Sequence, residues 1–375
     1  MQFPIPILFT IPNFITAGSG RVMLNIVERL DRSRYSPAIC VLKKCGNLDR
    51  EVQDLGIPFL ESPFIVPARP YHTLVSRAWA ASGVFRPYKF VLWHSWHYLD
   101  DYTEPIVARM AGADAWMYTK KSMSWGSRAW LVRSYLSTHI VADNSEMPKT
   151  LFNKIGLRGR VSVIPHGVPN NEYSPSVEPR LGLRERLGIP RDSVIVGTAA
   201  NLQPRKGHTT LIEAISRVPD VHLVTAGRVV DEEYAQSLER MIRDLDLHDR
   251  VHLLGQVNDI PALLSEIDVF VLATWRKWSL EGCPVALIEA MSCGRACVAT
   301  DIPGSRDLIQ SGENGLIVPP EDAAALADCI RRLVDSPDLR SRFGAAARWR
   351  AVKEFSVERE VAAYEELYVK LLEHK

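Results

Sequence analysis

Val269-Phe270-Val271-Leu272 is followed by Pro284-Val285-Ala286-Leu287-Ile288-Glu289-Ala290-Met291-Ser292-Cys293-Gly294 and then by Ala296-Cys297-Val298-Ala299, and this stretch decides the fold. The two short, wholly apolar runs read as strands buried on both faces, and the segment between them has helical length. Pro284 suits the first helical position, where its missing N–H is not needed, and Gly294 suits the helix end. Strand, helix and strand in this order are the signature of a parallel sheet covered by helices.

The same alternation extends in both directions. Upstream lie apolar runs at Val194 to Thr198, Val221 to Thr225 and Val251 to Leu254, and downstream one at Gly315 to Val318, each followed by a plausible helix. Beyond Pro320 the pattern is helical only, through Glu321 to Val334, Pro337 to Phe355 and Val357 to Leu372. An earlier series has strands at Ile5 to Thr10, Pro37 to Leu42, Phe90 to Trp93, Ala115 to Thr119 and His139 to Ala142. Between the two series, Ile164-Pro165-His166-Gly167-Val168-Pro169-Asn170-Asn171 is turn-rich. The expected architecture is α/β: two Rossmann-like doubly wound domains, 1–168 and 169–355, with ligands in a cleft between them and a last helix, 356–375, crossing back to the first.

At 375 residues the chain supports such cores without disulfides or a structural metal. The net charge of +1 implies no bulk attraction to nucleic acid. The halves differ, however: residues 1–170 carry +8 and the remainder −7, so the N-terminal half favours an anionic substrate or surface. The six cysteines form no CxxC pair and read as free thiols of a reducing compartment. The uncharged first twenty residues are interrupted by Pro4, Pro6 and Pro12, which suits a buried strand better than a signal peptide. A cytoplasmic protein is expected, alone or in peripheral contact with the inner face of a membrane.

Chemistry enters at the mouth of the second sheet. Glu281 falls in the loop after Val269 to Leu272, and Glu289 in the following helix. The amides of Val285 and Ala286 open that helix, where orphan N–H groups and the helix dipole favour a phosphate. A carboxylate beside such a site accepts two hydrogen bonds from a vicinal diol of a ribose or a sugar. Asn201-Leu202-Gln203-Pro204-Arg205-Lys206-Gly207 sets two cations at another strand end, and a departing diphosphate needs cations to absorb its charge. Either group alone describes an ordinary surface; together they describe a nucleotide-sugar pocket.

These motifs resemble those of the large family-four class of retaining glycosyltransferases. The matching features are the E-x7-E pair Glu281 and Glu289, the P-x-K-G turn Pro204, Lys206 and Gly207, the Thr300 to Gly304 loop and Gly312-Glu313-Asn314-Gly315. The resemblance implies the B-type arrangement of two Rossmann-like domains, with the N-terminal one binding the acceptor. It implies that Glu281, Lys206 and Arg205 act in catalysis, with Glu281 on the transferred sugar and Lys206 on the diphosphate. Glu289 would bind the nucleotide ribose, and Gly282, Cys283, Val285 and Ala286 would assist the phosphates. Gln256 and Val257 would face the base, and the Gly18-Ser19-Gly20 loop would bring its backbone to donor or acceptor.

The chain departs from the family pattern in three places. Asn201 or Gln203 stands where the family commonly has an Arg, Pro284 removes one amide, and Lys120 and Lys121 stand where the family often has His-Gly. Lys120 is therefore expected to bind an anion. His94, Trp96, Lys120 and Lys121 form the expected acceptor set. Trp125 to Tyr135 is an aromatic-basic stretch, either an interfacial patch or a packed helix, with packing preferred.

The resemblance offers no clear carboxylate nucleophile, and no DxD-type cluster stands where it would hold a metal at a diphosphate; Asp100-Asp101, the nearest candidate, lies in the acceptor half and reads as a solvated loop. Same-face attack with retention, no metal and no cofactor beyond the nucleotide-sugar donor are expected, with a carbohydrate, lipid-linked or small-molecule acceptor. An epimerase or hydrolase of similar fold, or a non-catalytic sugar-nucleotide binding protein, is the alternative.

Overall fold

The computed structural model describes residues 4–15, 17–276 and 281–373. The chain forms two units, Met1–His166 with Val357–Lys375, and Gly167–Ser356.

The N-terminal unit is built on a parallel sheet of β1 (Ile5–Ile11), β2 (Tyr35–Val41), β3 (Phe59–Glu61), β4 (Leu92–Ser95), β5 (Ala115–Lys120), β6 (His139–Ala142) and β7 (Val161–Val163). Their spatial order is β3-β2-β1-β4-β5-β6-β7. Its helices are α1 (Ala17–Arg29), α2 (Asp49–Asp54), α3 (Leu74–Ser82), α4 (Glu104–Met110) and α5 (Arg128–Leu136). Ile7, Leu8, Phe9 and Ile11 of β1 are all fully buried, as a strand covered on both faces requires. Each such side chain contributes ~1.5–3 kcal/mol on burial.

The Gly167–Ser356 unit repeats the plan with β8 (Val194–Ala199), β9 (Val221–Ala226), β10 (Val251–Leu253), β11 (Val269–Leu272), β12 (Ala296–Thr300) and β13 (Leu316–Val318), in the order β10-β9-β8-β11-β12-β13. Its helices are α6 (Leu183–Arg186), α7 (His208–Ser216), α8 (Glu232–Asp244), α9 (Ile260–Glu266), α10 (Val285–Ser292), α11 (Pro303–Leu308), α12 (Ala323–Val334) and α13 (Pro337–Glu354). Capping fixes several starts: Asp231, Asp259, Asp322 and Ser336 each accept an N–H of the first turn. Amphipathic spacing then sets the buried face, as with Tyr234, Ala235, Leu238 and Ile242 in α8. The last helix, α14 (Val357–Glu373), belongs to the N-terminal unit, where it buries Tyr364 and Tyr368.

Both sheets reverse strand order once, between β1 and β4 and between β8 and β11. Loops leaving the carboxyl ends of such neighbouring strands diverge and open a crevice, the usual ligand position in this fold class. Pro284 caps α10 rather than opening it, with φ −77° and ψ 97°. Among the described residues no helix is long and apolar enough to cross a membrane.

Candidate functional site

The loops after β8 and β11 carry Lys206 and Glu281, so the switch point of the second sheet brings these side chains together. The Lys206 ammonium donates to Oε1 of Glu281, and Thr274 Oγ1 donates to Oε2 at 2.9 Å. The lysine and glutamate side chains are 14% and 15% exposed, shielded yet reachable from solvent. Two further bonds stitch the loops: Trp275 N–H to the Arg205 carbonyl and Trp275 Nε1–H to Thr210 Oγ1, both at 2.9 Å.

Gly207 makes this approach feasible. Its φ is +69°, and a Cβ there would overlap the carbonyl of Ala273. Glycine thus lets the β8 loop pass against the backbone leaving β11.

Burial, with Arg205 beside it, pulls the Lys206 ammonium down to about 7. Contact with the Glu281 carboxylate favours the charged form in opposition, and an incoming phosphate would do so further. The Arg205 guanidinium is lowered by burial alone.

Val285 and Ala286 occupy the first turn of α10, and their N–H groups have no partner among the described residues. Gly282 and Cys283 precede them, and Gly282 lies so close under Gly304 of α11 that a Cβ on the latter would overlap its carbonyl. Glu289, in the second turn, is hydrogen-bonded by the Tyr173 hydroxyl, whose ionisation is suppressed by burial and then by the Glu289 charge. Arg348 fixes this neighbourhood by donating to the carbonyls of Asn170, Tyr173 and Ser292.

The neighbouring strand ends form a continuous rim. Ala200 N–H bonds the Ala226 carbonyl and Gly227 N–H bonds the Gly255 carbonyl, each at 2.8 Å. Gln256 is exposed and Val257 half-buried just past that rim. Asn201 orients the β9 loop by accepting the Arg228 N–H at 3.2 Å.

The N-terminal unit corrects several expectations. Gly18, Ser19 and Gly20 form the first turns of α1 instead of a loop, and Gly20 is small because a Cβ there would stand 2.9 Å from the Phe14 ring. His94 and Trp96 are fully buried and cannot meet an acceptor as they stand. His94 is held by Tyr368 and Thr119, both at 2.8 Å, and burial keeps its imidazole well below the usual range and hence neutral. Trp96 packs between His166 and Tyr364.

Lys120 is 2% exposed, bonded to the Ser124 carbonyl at 2.6 Å and seated over Trp130, so it is not an open anion site. Lys121 is half-buried and donates to the Trp96 carbonyl. Burial lowers these ammonium groups to about 8 and about 7 respectively. Of the acceptor set, Lys121 alone keeps substantial exposure.

The Trp125 to Tyr135 stretch packs by one side: Trp130 and Arg133 are buried and Trp125 stands edge-on to Phe152, while Arg128, Val132 and Tyr135 are exposed. Arg133 meets a group absent from the sequence reading, Glu104, which is fully buried and accepts from Thr10, Trp93 and Ser95. Asp101, read as a solvated loop residue, caps α4 through the Thr103 and Glu104 amides.

Residues 180–350 match the family model described as glycosyl transferases group 1. The UDP-Gal:alpha-D-GlcNAc-diphosphoundecaprenol alpha-1,3-galactosyltransferase of Escherichia coli is 30% identical over 224 residues, covering 58% of this chain and 56% of that protein. The lipopolysaccharide core biosynthesis glycosyltransferase LpsE of Rhizobium meliloti is 33% identical over 184 residues, covering 49% and 52%. The chain thus spans about half the length of these curated relatives.

Among solved structures, a glycosyltransferase from Rickettsia africae superposes with a TM-score of 0.85 at 18% identity over 100% of both chains. Anabaena HepE in complex with UDP-glucose superposes with a TM-score of 0.83 at 22% identity, covering 98% and 100%. The two-domain Rossmann-like fold of solved glycosyltransferases therefore runs the full length of the chain. The residues that match the glycosyl transferases group 1 model, 180–350, include Lys206, Glu281 and Glu289.

Proposed function

We propose that the protein transfers a sugar from a nucleoside-diphosphate sugar to an acceptor hydroxyl with retention of anomeric configuration, using neither a metal nor a further cofactor. The observation that carries this reading is the meeting of Lys206 with Glu281 at the switch point of the second sheet, beside the start of α10. As the bond from the anomeric carbon to the diphosphate lengthens, negative charge builds on the leaving oxygen. Lys206, Arg205 and the amides of Val285 and Ala286 would absorb it. Glu281 would accept from hydroxyls of the sugar and Glu289 from the ribose diol, the latter oriented by Tyr173.

Both oxygens of Glu281 are already engaged, which suits a positioning carboxylate better than a nucleophile. The acceptor oxygen would bond to the anomeric carbon on the face the diphosphate leaves, and the acceptor's proton would pass to the departing phosphate oxygen. The names of the Escherichia coli and Rhizobium relatives support a carbohydrate or lipid-linked saccharide as acceptor, and the net charge of +8 on residues 1–170 supports peripheral contact with an anionic membrane surface.

The test is incubation of the purified chain with a panel of nucleoside-diphosphate sugars and lipid-linked or free saccharides, with and without a chelator. Nuclear magnetic resonance of the product should show the donor's anomeric configuration, at a rate the chelator does not change. An inverted linkage, or donor epimerised or hydrolysed with no acceptor product, would overturn the proposal.

A further inference from the structure

The segment between β3 and β4 carries a surface that the site above does not use. Helix α3 is entered through a tight turn at Tyr71–Thr73 and followed by a second at Arg86–Tyr88. Val75 and Trp79 stand one turn apart on its outer face, and Tyr71 lies one turn before them. These three are 65%, 57% and 62% exposed, and Val84 and Tyr88 in the segment that follows are exposed as well. Ala78 and Ser82 occupy the buried side. A single exposed aromatic residue is ordinary, but a run of large apolar side chains turned outward marks a contact surface.

Its charge is one-sided. Residues 62–99 contain Arg69, Arg77, Arg86 and Lys89 and no Asp or Glu. Arg86 lies 3.4 Å from the centre of the Trp79 ring, and Arg77 donates to the carbonyls of Pro67 and Pro70. Arg69, Arg77 and Arg86 bond to hydroxyl and carbonyl oxygens rather than to carboxylates, and the acidic residues that follow the segment, Asp100 and Asp101, line the hollow beside Pro67 and Ala68.

We propose that this face docks on the surface of an anionic lipid bilayer, with Tyr71, Val75 and Trp79 in the headgroup layer and the four cations against lipid phosphates. Trp and Tyr favour that layer because one part of each ring is apolar and another polar, and each nearby cation adds attraction to an anionic leaflet. A second copy of the chain is a poorer occupant, because a two-fold contact would set these cations against themselves. The inference deepens the peripheral contact proposed above by assigning its surface, and it is independent of the transfer reaction.

The test is flotation of the full chain with vesicles of phosphatidylcholine alone or mixed with phosphatidylglycerol, together with hydrogen exchange. Binding to the mixed vesicles alone, weakened by salt, is expected. Lys89→Gln should weaken it about fivefold, and Trp79→Ser roughly tenfold. Peptides covering residues 71–89 should gain protection on the vesicles, a readout on the wild-type chain that stands even if Trp79→Ser fails to fold. Equal binding by wild type and both variants, or protection elsewhere only, would overturn the assigned surface while leaving the proposed transfer untouched. Lipid-free self-association abolished by Trp79→Ser would overturn it in favour of a second copy.

Discussion

Lys206 and Glu281, 75 residues apart in the chain, form an ion pair in which the lysine takes one carboxylate oxygen and leaves the other to Thr274. Thr274 is fully buried, so its role is to aim the glutamate. Thr274→Val keeps the shape and removes the hydroxyl. It should lower kcat/KM about ten- to a hundredfold, the usual cost of losing a hydrogen bond to a charged group, while nucleoside-diphosphate affinity stays unchanged. Steady-state kinetics beside calorimetric titration would check this, and an equal loss in both would indicate general damage.

The lowered Lys206 ammonium has a consequence for binding. Burial pulls the ammonium to about 7 against the opposing charge of Glu281, so part of the population is neutral at pH 8 and the ion pair is only partly formed there, and an arriving diphosphate favours the charged form. Binding at pH 8 should therefore take up protons. Titration in two buffers of different ionisation enthalpy would measure the uptake, and none is expected from Lys206→Met.

Gly207 is conformationally and sterically committed, whereas Gly18, with nothing within 4 Å of an added Cβ, is neither. Gly207→Ala should cost at least ~1–2 kcal/mol from the left-handed backbone alone, with more from overlap with the Ala273 carbonyl. Gly18→Ala should be neutral or stabilise by up to ~1 kcal/mol. Urea unfolding of the two variants would check the contrast.

His166 supplies a pH dependence. Burial lowers its imidazole, but the hydrogen bond and charge of Glu360 at 3.1 Å, with Asp143 at 3.7 Å, outweigh burial and raise it. A raised histidine contributes stability that is fully present below its unfolded value near 6.5, and that contribution is lost as pH rises through the folded value. The stability gap between wild type and Glu360→Gln should therefore narrow as pH increases across this range, as read from thermal unfolding. A gap that widens would reverse the sign of the coupling.

Much of this arrangement was legible in the residues. Doubly buried strands show as uninterrupted apolar runs, and the Glu281 and Lys206 loops could be placed at strand ends by counting. The edge strands β3 and β7 escaped notice because each has only three residues and neither stands out from its surroundings as an apolar run. Trp93-His94-Ser95-Trp96 looked like a binding surface because its composition is that of one. Its burial depends on Tyr364 and Tyr368, more than 250 residues later, and local pattern does not display such contacts. Glu104 was hidden for the same reason: an acidic residue before Pro105 reads as a helix start, and its partners Thr10, Trp93 and Arg133 come from three other elements.

The most direct test is equilibrium titration of the wild-type chain and Lys206→Ala with uridine, guanosine and adenosine diphosphates. At least one should bind the wild type, and Lys206→Ala should weaken it about tenfold or more, as expected for loss of a charge-assisted contact to phosphate. Equal affinity in the two proteins, or no binding of any nucleoside diphosphate, would contradict a donor site built on Lys206 and Glu281.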